Sequence, residues 1–485
     1  MASLNDRIEG VLLGTAAGDA LGAPYEFQPP RGPELEVVMA GGGPWEPGEW
    51  TDDTAMAIAI AEVAATGADL RHEAAQDAIV TRWLKWIPES KDVGNQTRSV
   101  LTAAGGPEIS AARARAESAS LHRRTGHTAG NGSLMRTAPL ALAYLDDEEA
   151  LAEAARAISE LTHFDPDAGD ACVLWSTAIR HAVRTAELDV RVGLRHLDPE
   201  RRRIWSGRLD AAESSCPADF GSNGWVVPAL QAAWSAIAAT TPGGERGADV
   251  LPADHFRLGL DAAVRAGDDT DTVAAIAGGL LGAAYGASAV PLEWRVLLHG
   301  WPKLRAHDLV SLGSAIARGG EPDGFDFSYP GSPVDTVSRH PHDDKVVLGG
   351  IGVLRRLPGE VDAVVSLCRL ADDDMRHDMP HVEVRLIDRP EPDENPHLDL
   401  VLTEAVRAVE RLRAEGRTVL LHCVAAYSRT PTVGALYGAR RRGISTDEAL
   451  RDVQAALPGF HPNSAFRAAL RRLDPTAPKN SKPRT

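Results

Sequence analysis

Through the first two thirds of the chain, apolar residues recur at helical spacing, and polar or Pro/Gly-marked breaks separate the runs. Leu4 to Gly14 reads as a short helix feeding Thr15-Ala16-Ala17-Gly18-Asp19-Ala20-Leu21-Gly22, whose small residues permit close backbone approach. Repeated Pro and Gly from Pro24 to Gly48 predict a long loop, a feature that is usually functional or disordered in a compact domain. Thr51 is a candidate N-cap for a helix over Ala55 to Ala65. Leu70 to Ile87 follows as a second helix, with Ile79, Trp83, Leu84 and Trp86 at roughly helical spacing and Pro88 as its stop.

Further Ala-rich helices are predicted at Ser110 to Leu121, Leu134 to Tyr144, Asp147 to Leu161 and Pro166 to Ala186. The series continues at Val226 to Ala239, Ala253 to Ala266, Thr272 to Ala287 and Leu304 to Ala317. Strand patterns are almost absent, so residues 1–320 are expected to form an N-terminal all-α domain. The longest apolar run, Thr272 to Val290, is interrupted by small residues and follows several acids, which favours a buried core helix over a membrane span.

The pattern changes after Gly319-Gly320-Glu321-Pro322-Asp323-Gly324, and residues 321–334 read as a linker. Short β-like runs at Lys345 to Leu348, Ala363 to Leu367, Val382 to Ile387 and Thr418 to His422 alternate with helical runs at Asp399 to Glu415 and Thr432 to Arg441. That alternation predicts a smaller α/β domain over 335–474. The Pro/Lys/Ser-rich residues 475–485 are expected to be a mobile tail.

Composition narrows the class. A chain of 485 residues is long enough for at least two domains, since one core rarely grows beyond ~250–300 residues. A net charge of −17 disfavours non-specific nucleic-acid binding and anionic membranes as partners. Cys172, Cys216, Cys368 and Cys423 lack Cys-x-x-Cys spacing, so neither a disulfide framework nor a zinc site is expected. The N-terminus has no cationic leader and does not read as a signal peptide; a reducing cytoplasm fits these features.

The candidate chemistry of the first domain centres on Trp50-Thr51-Asp52-Asp53-Thr54 and Gly267-Asp268-Asp269-Thr270-Asp271-Thr272, each heading an apolar helical run. Either cluster alone is accounted for by capping of free N–H groups and by the helix dipole. Together they carry more carboxylates than capping uses, and oxygen-only donors select hard ions such as Mg²⁺, Mn²⁺ or Ca²⁺ over zinc. Gly130-Asn131-Gly132-Ser133-Leu134-Met135-Arg136 precedes a helix, so its N–H groups are suited to a diphosphate, although a plain turn has the same pattern. His163 on its own reads more often as a satisfied structural histidine than as a ligand-binding one.

In order along the chain, Gly14 to Phe27, Trp50 to Thr54, Asp92-Val93-Gly94-Asn95-Gln96-Thr97, Gly130 to Arg136, Thr162-His163 and Gly267 to Thr272 closely resemble the motifs of the ADP-ribosylglycohydrolase family, magnesium-dependent enzymes related to dinitrogenase reductase-activating glycohydrolase. The resemblance spans about residues 1–320. It implies that Thr51, Asp52, Asp53, Asp269, Asp271 and Thr272 ligate two Mg²⁺ ions, with Mn²⁺ as the alternative, and that ribose hydroxyls bridge the metals. It also implies that Asn131, Gly132, Ser133 and His163 line an ADP-ribose pocket, and that Glu26 or Asp92 stands beside the scissile bond as gate or base. Asp268 departs from the family, which usually has Gly there.

In the second domain, an apolar strand runs into His422-Cys423-Val424-Ala425-Ala426-Tyr427-Ser428-Arg429-Thr430 and then a helix. A strand-to-helix loop of the form Cys-x5-Arg gathers N–H groups around an anion, lowers a thiol pKa and returns an Arg to the same phosphate. A buried Cys beside a surface Arg is the plain alternative. With Val347 to Gly350, Ala363 to Leu367 and His381 to Asp388, the stretch looks like the dual-specificity branch of cysteine phosphatases over about 335–470. By that resemblance Cys423 is nucleophile, Arg429 phosphate clamp, Asp388 general acid and Thr430 helper in thiolate release. Ala426 stands where that family usually has Gly, and a positive φ there would strain it by ~1–3 kcal/mol.

These readings converge on a hydrolase that removes ADP-ribose from a modified protein or small molecule, fused to a cysteine phosphatase-like domain that takes a phosphorylated substrate. Two alternatives remain at this point: an ADP-ribose-binding protein with a non-catalytic phosphate-binding domain, and a phosphatase regulated by the first domain.

Overall fold

A computed structural model of the chain describes residues 3–106, 110–241, 251–321, 329, 336–371, 374–376, 378–457 and 459–477. They fall into two compact units, Ala2–Pro322 and Asp323–Thr485. Apart from Glu321 and Tyr329, most of the expected linker at 321–334 lies outside the described residues, as does the tail from 478.

The first unit is helical. Its chain order begins α1 (Leu4–Gly22), α2 (Asp52–Ala64), α3 (Glu73–Trp86), α4 (Asn95–Ala104), α5 (Ala111–Thr125), α6 (Ala138–Ala143) and α7 (Glu148–Glu160). It continues with α8 (Pro166–Thr185), α9 (Pro199–Ser214), α10 (Val226–Thr240), α11 (Asp254–Val264), α12 (Thr270–Tyr285) and α13 (Leu292–Leu297). A short two-stranded antiparallel pair, β1 (His299–Gly300) and β2 (Leu304–Arg305), precedes α14 (Ala306–Ala317) in this otherwise helical unit.

Two differences from the sequence reading matter. The expected short helix ending at Gly14 runs on unbroken to Gly22, because its small residues face another helix. Helices α4 and α9 were not expected; α9 carries Glu200, Arg201, Arg202, Arg203 and Arg208, and this density of charge hides its apolar positions Trp205, Leu209 and Ala212.

The center of the unit is the pairing of α1 with α12. A Cβ on Gly10 would fall within contact distance of the Gly282 carbonyl oxygen, one on Gly14 against Gly278, one on Gly18 against Ala274, and one on Gly22 would lie 2.5 Å from the Asp271 Cα. Glycine at every fourth position therefore gives α1 a face without side chains, and backbone lies directly on backbone. Every residue of α12 from Thr270 to Ala284 is buried, as are Asp53 to Ala61 of α2, which is why these apolar stretches lack a polar face.

The second unit is a five-stranded sheet with helices. Its chain order is β3 (Val337–His340), β4 (Asp343–Gly349), α15 (Ile351–Arg355), β5 (Ala363–Ser366), β6 (His381–Glu383), α16 (Leu398–Ala414), β7 (Val419–His422), α17 (Arg429–Arg442), α18 (Thr446–Ala456) and α19 (Ser464–Arg472). Spatial order is β3-β4-β7-β5-β6, with β3 antiparallel to β4 and the remaining neighbours parallel. The central strand β7 is buried throughout, and its carboxyl end delivers His422 and Cys423 to the loop before α17.

Gly278→Ala is expected to destabilise the first unit by about 3 kcal/mol, because the added methyl meets the Gly14 carbonyl rather than a movable side chain. Guanidinium denaturation of the full chain measures it; an unchanged midpoint would show that the helix pair tolerates spreading.

Candidate functional site

The first site forms where three helix ends meet. Asp19 in the last turns of α1 accepts from the Thr51 N–H at 2.9 Å, the Thr54 N–H at 3.0 Å and the Thr54 hydroxyl at 2.6 Å. Asp19 thus caps α2 from another helix, while the N-cap residue Thr51 makes no capping bond of its own. Thr51 Oγ1 instead donates within reach of Asp53 Oδ2 at 3.1 Å and Asp271 Oδ2 at 3.3 Å, which joins the start of α2 to the start of α12. Asp269, the N-cap residue of α12, likewise makes no side-chain capping bond. Capping therefore does not account for these carboxylates.

Carboxylate oxygens of Asp19, Asp53 and Asp271 lie within 4.8 Å of one another, and so do those of Glu26, Asp269 and Asp271. Asp53 and Asp271 are buried, and burial first, then neighbouring carboxylates, pushes both well above the ordinary Asp range. The same causes raise Asp52 to about 7 and Glu26 to about 8; burial raises Asp19 to about 6 against the opposing bonds from Thr54 and Thr51. Asp53 Oδ1 is buried without a hydrogen-bond partner. No ion pair to any of these six acids occurs among the described residues. An all-oxygen set of crowded, partly unsatisfied carboxylates fits a hard divalent cation.

The remaining first-domain candidates surround this cluster unevenly. Asn131 donates to Asp269 Oδ2 at 2.8 Å and to the Asn223 carbonyl at 3.0 Å, tying the Gly-rich turn to the start of α12. His163 is buried beneath that turn: a Cβ on Gly132 would lie 3.1 Å from its Cε1. Ser133 instead turns its hydroxyl inward to Ser159 at 3.0 Å and Cys172 at 3.5 Å. Thr272 is buried, with its hydroxyl 3.9 Å from the Met135 sulfur. Asp52 accepts from the Gly94 N–H at 3.3 Å, and Asp92 is exposed, with its own Oδ1 taking the Val93 N–H at 2.7 Å.

Three residues of this site did not stand out in the sequence. Asp19 lies inside the small-residue stretch Gly14 to Gly22 without a second acid beside it. Asn223 takes the Asp269 N–H at 2.8 Å and donates to the Gly267 carbonyl at 3.0 Å, shaping the turn before α12. Trp225 is 46% exposed next to Gly130, with which it forms an isolated antiparallel bridge. Asp268 has φ 58° and accepts from Phe27 N–H while donating to the Gln28 carbonyl, so the departing residue pins the Glu26 segment against the cluster.

In the second unit, Cys423 is buried at the end of β7 and Arg429 opens α17. Arg429 Nη1 donates to the carbonyls of Leu386 at 2.9 Å and Leu367 at 3.2 Å, and its Nε is buried without a partner. Asp388 Oδ1 accepts from Ser428 Oγ at 2.6 Å and Asn463 Nδ2 at 3.1 Å, bringing the candidate acid to the loop. Thr430 Oγ1 donates to the Gly349 carbonyl at 3.3 Å. His422 is buried between strands, bonded to Ser366 at 2.6 Å, and burial with the nearby His381 lowers it to about 3, so it stays neutral. Ala426 has φ 53°, the left-handed region that its Cβ disfavours.

Residues 1–322 match the family model described as ADP-ribosylglycohydrolase, and residues 360–474 match that of the dual specificity phosphatase catalytic domain. ADP-ribosylarginine hydrolase Tri1 of Pseudomonas putida (strain GB-1) is 32% identical over 307 residues, covering 60% of this chain and 73% of that protein. The ADP-ribosyl-dinitrogen reductase glycohydrolase of Rhodospirillum rubrum is 30% identical over 305 residues, covering 60% and 90%. Dual specificity protein phosphatase 1 of Arabidopsis thaliana is 29% identical over 97 residues, covering 20% of this chain and 47% of that protein.

Two outcomes follow from this geometry. Acids raised in the folded state are neutral in both states at low pH, and stability is lost as pH rises from the unfolded carboxyl range through the folded values. In chelator the first unit should melt at a lower temperature at about pH 8 than at about pH 5, and saturating Mg²⁺ should remove most of that difference. Differential scanning calorimetry at the two pH values checks this. Ala426→Gly should stabilise the second unit by about 1 kcal/mol, read from the denaturation transition of that unit.

Proposed function

The chain belongs to the ADP-ribosylglycohydrolase family, and on that premise we propose that its first unit hydrolyses the N-glycosidic bond between ADP-ribose and an arginine side chain. The crowded carboxylates shared by the starts of α2 and α12 carry this reading, together with the relatives named as hydrolases of ADP-ribosylarginine and of ADP-ribosylated dinitrogen reductase. Thr51, Asp52, Asp53, Asp269, Asp271 and Thr272 would hold two Mg²⁺ ions. Bound there, the ions supply Lewis-acid stabilisation and acidify a water for hydrolysis.

The other tasks fall to side chains already in place. Asp19 spends its oxygens on Thr51 and Thr54 and so acts by orienting the start of α2 rather than as a ligand. Glu26, half-buried with its oxygen close to those of Asp269 and Asp271, is better placed than the exposed Asp92 to hold or release a proton at the anomeric carbon. Asp92, beside Asp52, guards the approach. Backbone N–H groups of Gly132 and Ser133 in the Gly-rich turn orient the diphosphate, while Asn131, whose own N–H groups go to Gly224, Asn223 and Asp269, holds that turn in register with α12.

The second unit is read as a cysteine phosphatase: Cys423 attacks phosphorus, Arg429 holds the equatorial oxygens, Asp388 protonates the leaving group, and Thr430 aids release of the thiolate. The positive φ at Ala426 favours a second reading for this unit, a phosphate-binding module with little turnover.

The deciding assay is release of ADP-ribose from ADP-ribosylated arginine, serine and asparagine substrates with and without Mg²⁺. Arginine-linked ADP-ribose should be released only with metal, and Asp271→Asn should lose metal binding and turnover together, by about 100-fold or more. Unchanged turnover in that variant would overturn the assignment. In parallel, p-nitrophenyl phosphate turnover abolished by Cys423→Ser supports the phosphatase reading, and its absence in the parent chain supports the binding module.

A further inference from the structure

Arg136 is fully buried and forms no ion pair among the described residues. Its guanidinium lies 4.1 Å from the Trp83 ring centroid, Nη1 faces the Met56 sulfur at 3.8 Å, and Nε has no partner. Its firmest bond is from Nη2 to Thr162 Oγ1 at 2.7 Å, and a longer one reaches the Ile158 carbonyl at 3.5 Å. A buried cation without a carboxylate is costly to keep unless it serves something nearby.

The next atom in line is His163 Nδ1, 2.8 Å from the same Thr162 oxygen. Guanidinium is a donor only, so Thr162 Oγ1 accepts from Arg136. Among the described residues, the only other group within hydrogen-bond distance of that hydroxyl is His163 Nδ1, so the Thr162 proton has one place to go. Nδ1 is then an acceptor, and the ring proton resides on Nε2. Nε2 lies under the Gly-rich turn, 3.2 Å from where a Gly130 Cβ and 3.3 Å from where a Gly132 Cβ would be, and has no hydrogen-bond partner among the described residues. Burial first and the Arg136 charge second keep His163 well below the ordinary His range, so the ring is neutral.

We propose that Arg136 and Thr162 are positioning residues that lock His163 as an Nε2–H donor, aimed at a phosphate oxygen of ADP-ribose held on the Gly130–Gly132 turn. This rests on the reading of the first unit as an ADP-ribosyl hydrolase. It makes His163 a fixed neutral donor and removes it as a general base, since its one free lone pair is occupied by Thr162. The two glycines leave room for the ring edge to reach the ligand.

The test combines tautomer and affinity in the full chain. Long-range ¹⁵N–¹H spectra of histidine-labelled protein, with His163 assigned by its loss in His163→Gln, should show protonated Nε2 and bare Nδ1. Thr162→Val should lose that tautomer preference and weaken ADP-ribose binding about 10- to 100-fold by calorimetry, and Thr162→Ser should restore both. A protonated Nδ1 in the parent protein overturns the relay, and this reading needs no variant to fold. Full affinity in a folded Thr162→Val overturns its role in binding. An Nε2–H tautomer with no ADP-ribose binding in the parent chain overturns both the ligand assigned to His163 and the hydrolase reading, whereas binding with the wrong tautomer overturns the relay alone.

Discussion

The first unit depends on two helices whose backbones touch. Gly10, Gly14, Gly18 and Gly22 strip one face of α1, and Ala274, Gly278 and Gly282 answer it on α12. Side chains between them would hold the axes farther apart, in the usual range of 8–10 Å or so. With the backbones in contact, Asp19 near the end of α1 comes beside Asp53 and Asp271, and its oxygens reach back to cap α2. The register of one interhelix contact thus sets the distance between Asp19, Asp53 and Asp271, which lie far apart in sequence.

That arrangement gathers charge where electrostatics disfavours it. Helix N-termini soften the cost because their free N–H groups welcome anions, and both clusters lie there. The softening is partial. Several of these acids are pushed upward by burial and by one another, and Asp53 keeps an oxygen with no partner. Such a set is stabilised by a cation more than by any protein donor still available. The second unit meets a related problem differently: parallel neighbours on both sides of β7 bury Cys423 at the strand end, and α17 begins six residues later with Arg429.

Much of this was legible in the chain. Asp/Thr pairs at the heads of two apolar runs and a Cys-x5-Arg loop are local patterns, and the helices with apolar faces, such as α7 and α8, have clear periodicity. Less was legible where the controlling contact is distant. Nothing near Asp19 reveals that it caps a helix beginning at Asp52, and Asn223 has no local signal for its bonds to Asp269 and Gly267. The continuation of α1 to Gly22 was hidden for the same reason, since glycine argues against helix until the partner backbone is known. The conformation of Ala426 was undecided from sequence, and the structure places it at positive φ, where strain is expected.

The account stands on the two Asp clusters acting as a single metal-binding unit. Electron paramagnetic resonance of the Mn²⁺-titrated chain tests that most directly, because two ions sharing bridging ligands couple their spins. The account predicts a spin-coupled spectrum from two Mn²⁺ per chain that Asp53→Asn and Asp269→Asn each abolish. The six-line spectrum of isolated, independently bound Mn²⁺, unchanged by either substitution, would contradict it.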